Sequence, residues 1–208
     1  MYIPKHTLIK DRDEIFDIIE GNSFGILATI TEAGIKAVHI PMMLIRDEGE
    51  FGTLCGHISA ANDLFEGISG ESLAIFSGPH CYVSPSWYET ARAVPTWNYV
   101  AVHAYGKLNV IEDFKSKAKI ARMLVEHYED STSGYSIAAL EETYFSGLVK
   151  GTRAFRMKIS RLEGKKKLSQ NHPPERQALV AQKLEESDDA QANAVAVLIR
   201  ENISRSNG

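Results

Sequence analysis

The sequence predicts a mainly β protein with helical additions, built as an antiparallel barrel or sandwich. Three observations predict it. About six runs of β character precede Ile111, most of them joined by short turns. None belongs to a strand–helix–strand unit of the kind that builds a parallel sheet. Amphipathic helical spacing takes over only after Asp113.

The elements follow in order. Residues 11–20 form a helix, with Asp11, Asp13 and Glu14 complementing its N-terminal dipole and Ile15, Phe16, Ile18 and Ile19 as its apolar stripe. Gly21-Asn22 stops it. Residues 24–30 are the first strand, and 35–45 a second that contains Pro41. A proline cannot donate to the ladder, so that strand belongs at an edge or a bulge. Residues 51–56 make the third strand, and 57–65 read as a strand end passing into a short helix. Two further strands, 72–77 and 81–83, are separated by Gly78-Pro79. A long strand at 97–111 follows a proline-bounded loop that carries Trp87.

The second half is predominantly helical. Residues 113–127 form an amphipathic helix with Phe114, Ala118, Ala121, Leu124 and Val125 on one side, and 135–149 hold another. Residues 153–162 alternate as a last strand, and Gly164-Lys165-Lys166-Lys167 reads as a solvated turn. Pro173-Pro174 opens a helix. Ser187-Asp188-Asp189 caps a final one that runs to about Ile203, and 204–208 is a frayed tail. The organisation is one domain over 1–171, with a helical insertion at 113–149, and a helical appendage at 172–208.

Composition narrows the function. The chain has 208 residues, is 44% hydrophobic and carries a net charge of −4, which argues against charge-driven nucleic-acid binding. No apolar run approaches the roughly 20 residues of a membrane span. The N-terminus lacks the pattern of a signal peptide, so a cytoplasmic setting is expected, with Cys55 and Cys81 as buried thiols. Nucleotide-binding glycine motifs, HExxH, CxxC and GxSxG are all missing, so no metal is expected. His39, His57 and His103 lie in or near strands, where a lone histidine is more often structural than a ligand.

Side-chain alternation in the long strand puts Trp97, Tyr99, His103 and Tyr105 on one face and Asn98, Val100, Val102 and Ala104 on the other. An aromatic, partly polar face suits a flat ligand, although a half-buried edge strand would look the same. Three segments offer complementary groups. His57, Ser59 and Asn62 sit where a strand meets a helix N-terminus, a place that receives phosphate or simply a cap by Ser59. Thr96, Trp97 and Asn98 supply a hydroxyl, an aromatic plane and an amide. Lys167, Ser169, Gln170 and Asn171 supply a cation and three hydrogen-bonding side chains, or an exposed polar turn.

At these residues the chain resembles a known family along nearly its whole length. The blocks are Met1-Tyr2-Ile3-Pro4-Lys5-His6, His39-Ile40-Pro41, Gly56-His57-Ile58-Ser59-Ala60-Ala61-Asn62, Gly78-Pro79-His80-Cys81-Tyr82-Val83-Ser84-Pro85-Ser86-Trp87-Tyr88, Val94-Pro95-Thr96-Trp97-Asn98-Tyr99, and Leu162-Glu163-Gly164-Lys165-Lys166-Lys167-Leu168-Ser169-Gln170-Asn171. Together they resemble the PaiB-type family of FMN-binding negative transcriptional regulators.

The resemblance implies the antiparallel split β-barrel shared with pyridoxamine-phosphate oxidases, a homodimer, and FMN bound between subunits. Combined with the three segments above, it leads us to expect the flavin phosphate near His57, Ser59 and Asn62 with Lys167 as counter-charge. Thr96, Trp97 and Asn98 then border the ring, and Ser169, Gln170 and Asn171 close the pocket. It also implies a repressor of sporulation or protease genes, with DNA as a partner. Two other readings stand beside it: an FMN-dependent oxidoreductase or haem-binding enzyme, and a cofactor-free dimeric scaffold. The scaffold follows from Ala60 and Ala61, which stand where the family carries a basic residue.

Overall fold

The computed structural model describes residues 1–129 and 132–206. Seven strands form one sheet: β1 (Phe24–Thr31), β2 (Gly34–Pro41), β3 (Met43–Ile45), β4 (Thr53–Ser59), β5 (Ile68–Val83), β6 (Thr96–Ile111) and β7 (Thr152–Lys167), in the order β2-β1-β5-β6-β7-β4-β3. β1 pairs antiparallel with β2 and β5, and β4 with β3 and β7. Five α-helices complete the described chain: α1 (Arg12–Gly21), α2 (Phe114–Tyr128), α3 (Glu142–Lys150), α4 (Pro174–Glu185) and α5 (Ala190–Ser206). The chain divides into two compact units. One comprises Met1–Gly21, Ser77–Val102 and the chain from Glu163; the other comprises Asn22–Phe76 and His103–Leu162.

The second of these units contains the hairpin β1–β2, whose two-residue turn ends at Gly34 with φ +109°. β2 lies at the sheet edge, as its proline requires, and Pro41 is its last residue. The single strand expected over 35–45 is therefore two. At Met42 the chain leaves β2, donates from its N–H to the Ser23 carbonyl, and enters β3 at the opposite end of the strand order. β2 and β4 approach each other. A Cβ at Gly56 of β4 would stand 2.9 Å from the Pro41 carbonyl oxygen, so only glycine fits there. Leu27, Met42, Leu54, Phe76, Ala104, Phe155, Met157 and Ile159 fill the interior. Ile120 and Leu124 of α2 cover Met43, Cys55 and Ala154, and Phe145 and Val149 of α3 pack on Ala118. The helix expected over 135–149 is a 3-10 turn, Ile137–Ala139, followed by α3.

In the first unit α4 and α5 pack Val180, Leu184, Val195, Ala196 and Ile199 against Cys81, Val83, Tyr88 and Leu168. Trp87, in the 3-10 turn Pro85–Tyr88, is half-buried against that cluster. The strands expected at 72–77 and 81–83 are one strand, β5. Its pairing with β1 ends at Ile75, so on that side Pro79 interrupts no ladder. The lysine run is strand rather than solvated turn, since β7 continues to Lys167 and Leu8 bridges to Lys165. α5 reaches Ser206, three residues beyond the expected end, and the last two positions of the expected tail lie outside the described residues.

Candidate functional site

The face of β6 alternates as its sequence requires. Asn98, Val100, Val102 and Ala104 are buried, Trp97 is 54% exposed, and Tyr99, His103 and Tyr105 are half-buried. In the first unit β7 brings two ammonium groups to this face, because residues two apart on a strand share a side. Lys167 donates to Thr96 Oγ1 and, at 2.9 Å, to the Trp97 carbonyl oxygen. Lys165 is buried, donates to the Tyr2 carbonyl at 3.0 Å, and lies 5.0 Å from the Tyr99 ring centroid. Neither has a carboxylate partner among the described residues. The intervening Lys166 faces the other way and pairs with Glu14. Burial pulls Lys167 below the ordinary lysine value; the Tyr99 hydroxyl opposes this and the Lys165 charge adds to it.

Beside the lysines is an open aromatic platform. His80 and Tyr82 of β5 each place a ring centroid 6.3 Å from that of Trp97, and Tyr82 is 46% exposed. Cations and exposed ring faces together fit a planar aromatic ligand that carries an anionic group.

A buried polar relay supports the platform. Asn98 Nδ2 donates to Ser169 Oγ at 2.9 Å, and Ser169 Oγ lies 2.6 Å from the Tyr88 hydroxyl. Tyr88 stacks on His172 with centroids 4.0 Å apart. Burial raises the Tyr88 phenol, so it stays protonated. Ser169 has φ +65°, and Asn98 Oδ1 is buried with no partner among the described residues. Asn98 therefore stands behind the platform with no exposed surface.

The remaining expected site residues have other surroundings. Gln170 closes the end of β7 on itself, accepting from the Leu168 N–H and donating to the Lys166 carbonyl, both at 2.6 Å. Asn171 is exposed. His57, Ser59 and Asn62 belong to the second unit. The helix expected after them is a three-residue 3-10 turn, Asp63–Phe65, with Asn62 rather than Ser59 as its cap through the Leu64 N–H. Ser59 Oγ accepts from the Ala61 N–H. His57 lines an apolar cavity, and burial lowers its pKa. His103 Nδ1 lies 3.4 Å from the Tyr105 hydroxyl.

Lys165, Tyr82, His80 and Tyr88 are the groups that sequence reasoning did not assign to the site. Reading the lysine run as strand would have paired Lys165 with Lys167 on one face.

Known proteins bear on this arrangement. Residues 1–161 match the model of the family described as "Putative FMN-binding domain". The chain belongs to this FMN-binding family. FMN is the cofactor that membership supports. A curated relative, "Protease synthase and sporulation protein PAI 2" of Bacillus subtilis (strain 168), is 28% identical over 99% of this chain and 99% of its own. An uncharacterized protein of Aspergillus fumigatus is 31% identical, covering 73% of this chain and 78% of its own. Among solved structures, the flavocytochrome Anf3 from Azotobacter vinelandii is 14% identical with a TM-score of 0.59, over 79% of this chain and 72% of that one. An FAD and heme binding protein from Mycobacterium smegmatis is 15% identical with a TM-score of 0.58, over 77% and 73%. These structural likenesses bear on the fold alone. The fold class is the expected one, an antiparallel split β-barrel with helices at the C-terminus. No helix among the described residues is long and apolar enough to cross a membrane.

Proposed function

We propose that this FMN-binding split-barrel protein holds its flavin on the platform of the first unit and acts as a flavin-bound negative regulator of gene expression. The observation that carries the flavin site is the pair Lys165 and Lys167, two same-face cations with no carboxylate partner among the described residues, beside the exposed rings of Trp97 and Tyr82. Lys167 with Thr96 would take the phosphate, Trp97 and Tyr82 the ring, and Asn98 and Ser169 would hold β6 and the end of β7 in place. Bound FMN would supply any redox chemistry, while these side chains bind, orient and exclude water.

The regulatory role is supported by the end-to-end likeness to the Bacillus subtilis sporulation protein. With a net charge of −4, contact with a partner protein through the C-terminal helices suits this chain better than phosphate-driven DNA binding. The working form on this reading is a homodimer.

FMN titration of the purified chain, followed by flavin absorbance and fluorescence, tests the site. Saturable binding is expected, weakened roughly 10- to 100-fold in Lys167→Met, the usual worth of a charge-assisted hydrogen bond. Absence of flavin binding by the wild-type chain would remove the site. Steady NAD(P)H oxidation by the FMN complex would favour an oxidoreductase over a regulator, and a salt-sensitive, sequence-selective shift of promoter DNA would return DNA as the direct partner.

A further inference from the structure

In the first unit a cavity of about 300 Å³ lies between the segment leading into α1, the end of β7 and α5. α5 lines it with Leu198, Glu201, Asn202 and Arg205, whose spacing of three and four residues puts them on one side of a helix. Ile9 and the buried Leu168 supply an apolar floor. Lys166 lines it too, so the cavity lies on the opposite side of β7 from Lys165 and Lys167. A ligand there touches the reverse of the strand that carries the flavin lysines, on side chains that the flavin reading leaves unused.

The polar groups of the lining decide the class of ligand, and most of them are already engaged. Glu14 accepts from Lys166 and, at 3.1 Å, from Arg205. Asp11 accepts from the Asp13 N–H at 3.0 Å at the start of α1. Thr7 donates to the Pro4 carbonyl, Gln170 is bound to its own backbone, and Asn202 donates to Gln177. His6 is exposed. Two charges remain. Lys10 and Glu201 have no ion-pair partner among the described residues, and although both line the cavity they do not pair with each other. An ammonium and a carboxylate on different elements, facing one cavity and unpaired, match a ligand that carries charges of both signs.

We propose that this cavity binds a free aliphatic α-amino acid, its carboxylate on Lys10 and its ammonium on Glu201. Ile9, Leu168 and Leu198 receive the side chain. A compound bearing only one of the two charges leaves the other protein charge unpaired and forgoes a charge-assisted hydrogen bond. The volume is at the small end of ligand sites and suits a molecule of about nine non-hydrogen atoms better than a cofactor. Such a site gives the protein a sensor of free amino acids that does not depend on the flavin platform.

Isothermal titration calorimetry of the full chain with L-leucine, 4-methylpentanoate and 3-methylbutylamine tests this. L-Leucine should saturate at one site per chain, and each singly charged analogue should bind roughly 5- to 10-fold more weakly. Lys10→Met should weaken leucine by a similar factor and leave 3-methylbutylamine unchanged. Glu201→Gln should weaken leucine likewise and leave 4-methylpentanoate unchanged. Both positions are exposed, so neither substitution disturbs the core, and thermal melts check that the variants fold. Failure of leucine to saturate, an analogue that binds as tightly as leucine, or leucine affinity that survives either substitution would overturn the proposal.

Discussion

Asn98 donates from its side-chain amide to Ser169 Oγ across 2.9 Å, joining β6 to the turn that ends β7. Both residues are buried, and the same hydroxyl meets the Tyr88 phenol. One serine in a left-handed conformation thus holds two polar side chains directly behind the aromatic and cationic platform.

Ser169→Ala leaves the Asn98 amide and the Tyr88 hydroxyl without their shared partner and should cost about 1–3 kcal/mol. Ser169→Gly loses the same bonds but adopts φ +65° freely, so it should be less damaging than alanine by about 1 kcal/mol. Urea unfolding of the two variants checks the ordering. Equal stabilities would show that the turn is not strained.

Two glycines should respond to alanine in opposite ways. A Cβ at Gly106 would meet the Lys158 carbonyl oxygen at 2.3 Å, so Gly106→Ala should destabilise by about 2–4 kcal/mol. Gly147, within α3, faces open space: a Cβ there would meet nothing within 4 Å, and Gly147→Ala should stabilise by about 0.5–1 kcal/mol. Thermal melts of both variants give the signs.

Burial pushes the Cys55 and Cys81 thiols up to about 11. At pH 8 both should react with a disulfide reagent roughly 100-fold more slowly in the native protein than after unfolding. A raised thiol favours the folded state below its unfolded value near 9, and that stability is lost as pH rises through about 11. Chemical melts between pH 8 and 11 should therefore show declining stability. A flat profile would contradict the burial of both groups.

The Lys167 ammonium loses its proton more readily than an ordinary lysine because it is desolvated. If it holds the flavin phosphate, FMN affinity should begin to fall on the alkaline side at a lower pH than a lysine value of about 10.4 would allow. Added salt should weaken binding throughout. FMN titrations across pH 7 to 10, repeated with Lys167→Met, check this: the variant should lose that alkaline decline.

Much of the fold was legible because local rules and tertiary packing agree. The Trp97–Ala104 alternation reads as a two-faced strand, and burial follows it residue by residue. Pro41 marks an edge, and β2 lies at one. The misread stretches have specific causes. Gly78-Pro79 looks like a break, yet β5 continues because its β1 partner stops at Ile75. Three consecutive lysines look solvated, yet Lys165 is buried under the Tyr2 and Tyr99 rings while Lys166 pairs with Glu14. None of these three partners is near in sequence, so no local pattern announces the strand.

Sequence by itself determined the mainly antiparallel architecture, the aromatic face of β6 and the family, since strand periodicity, turn residues and motif blocks are all local properties. Tertiary structure alone decided which polar groups are satisfied. Among the described residues it left Lys165 and Lys167 without carboxylates, occupied Asn62 and Gln170 with their own backbone, and buried His57 Nδ1 without a partner. Hydrogen bonding and desolvation depend on what packing brings within about 3 Å, and that distance is set by residues far apart in the chain.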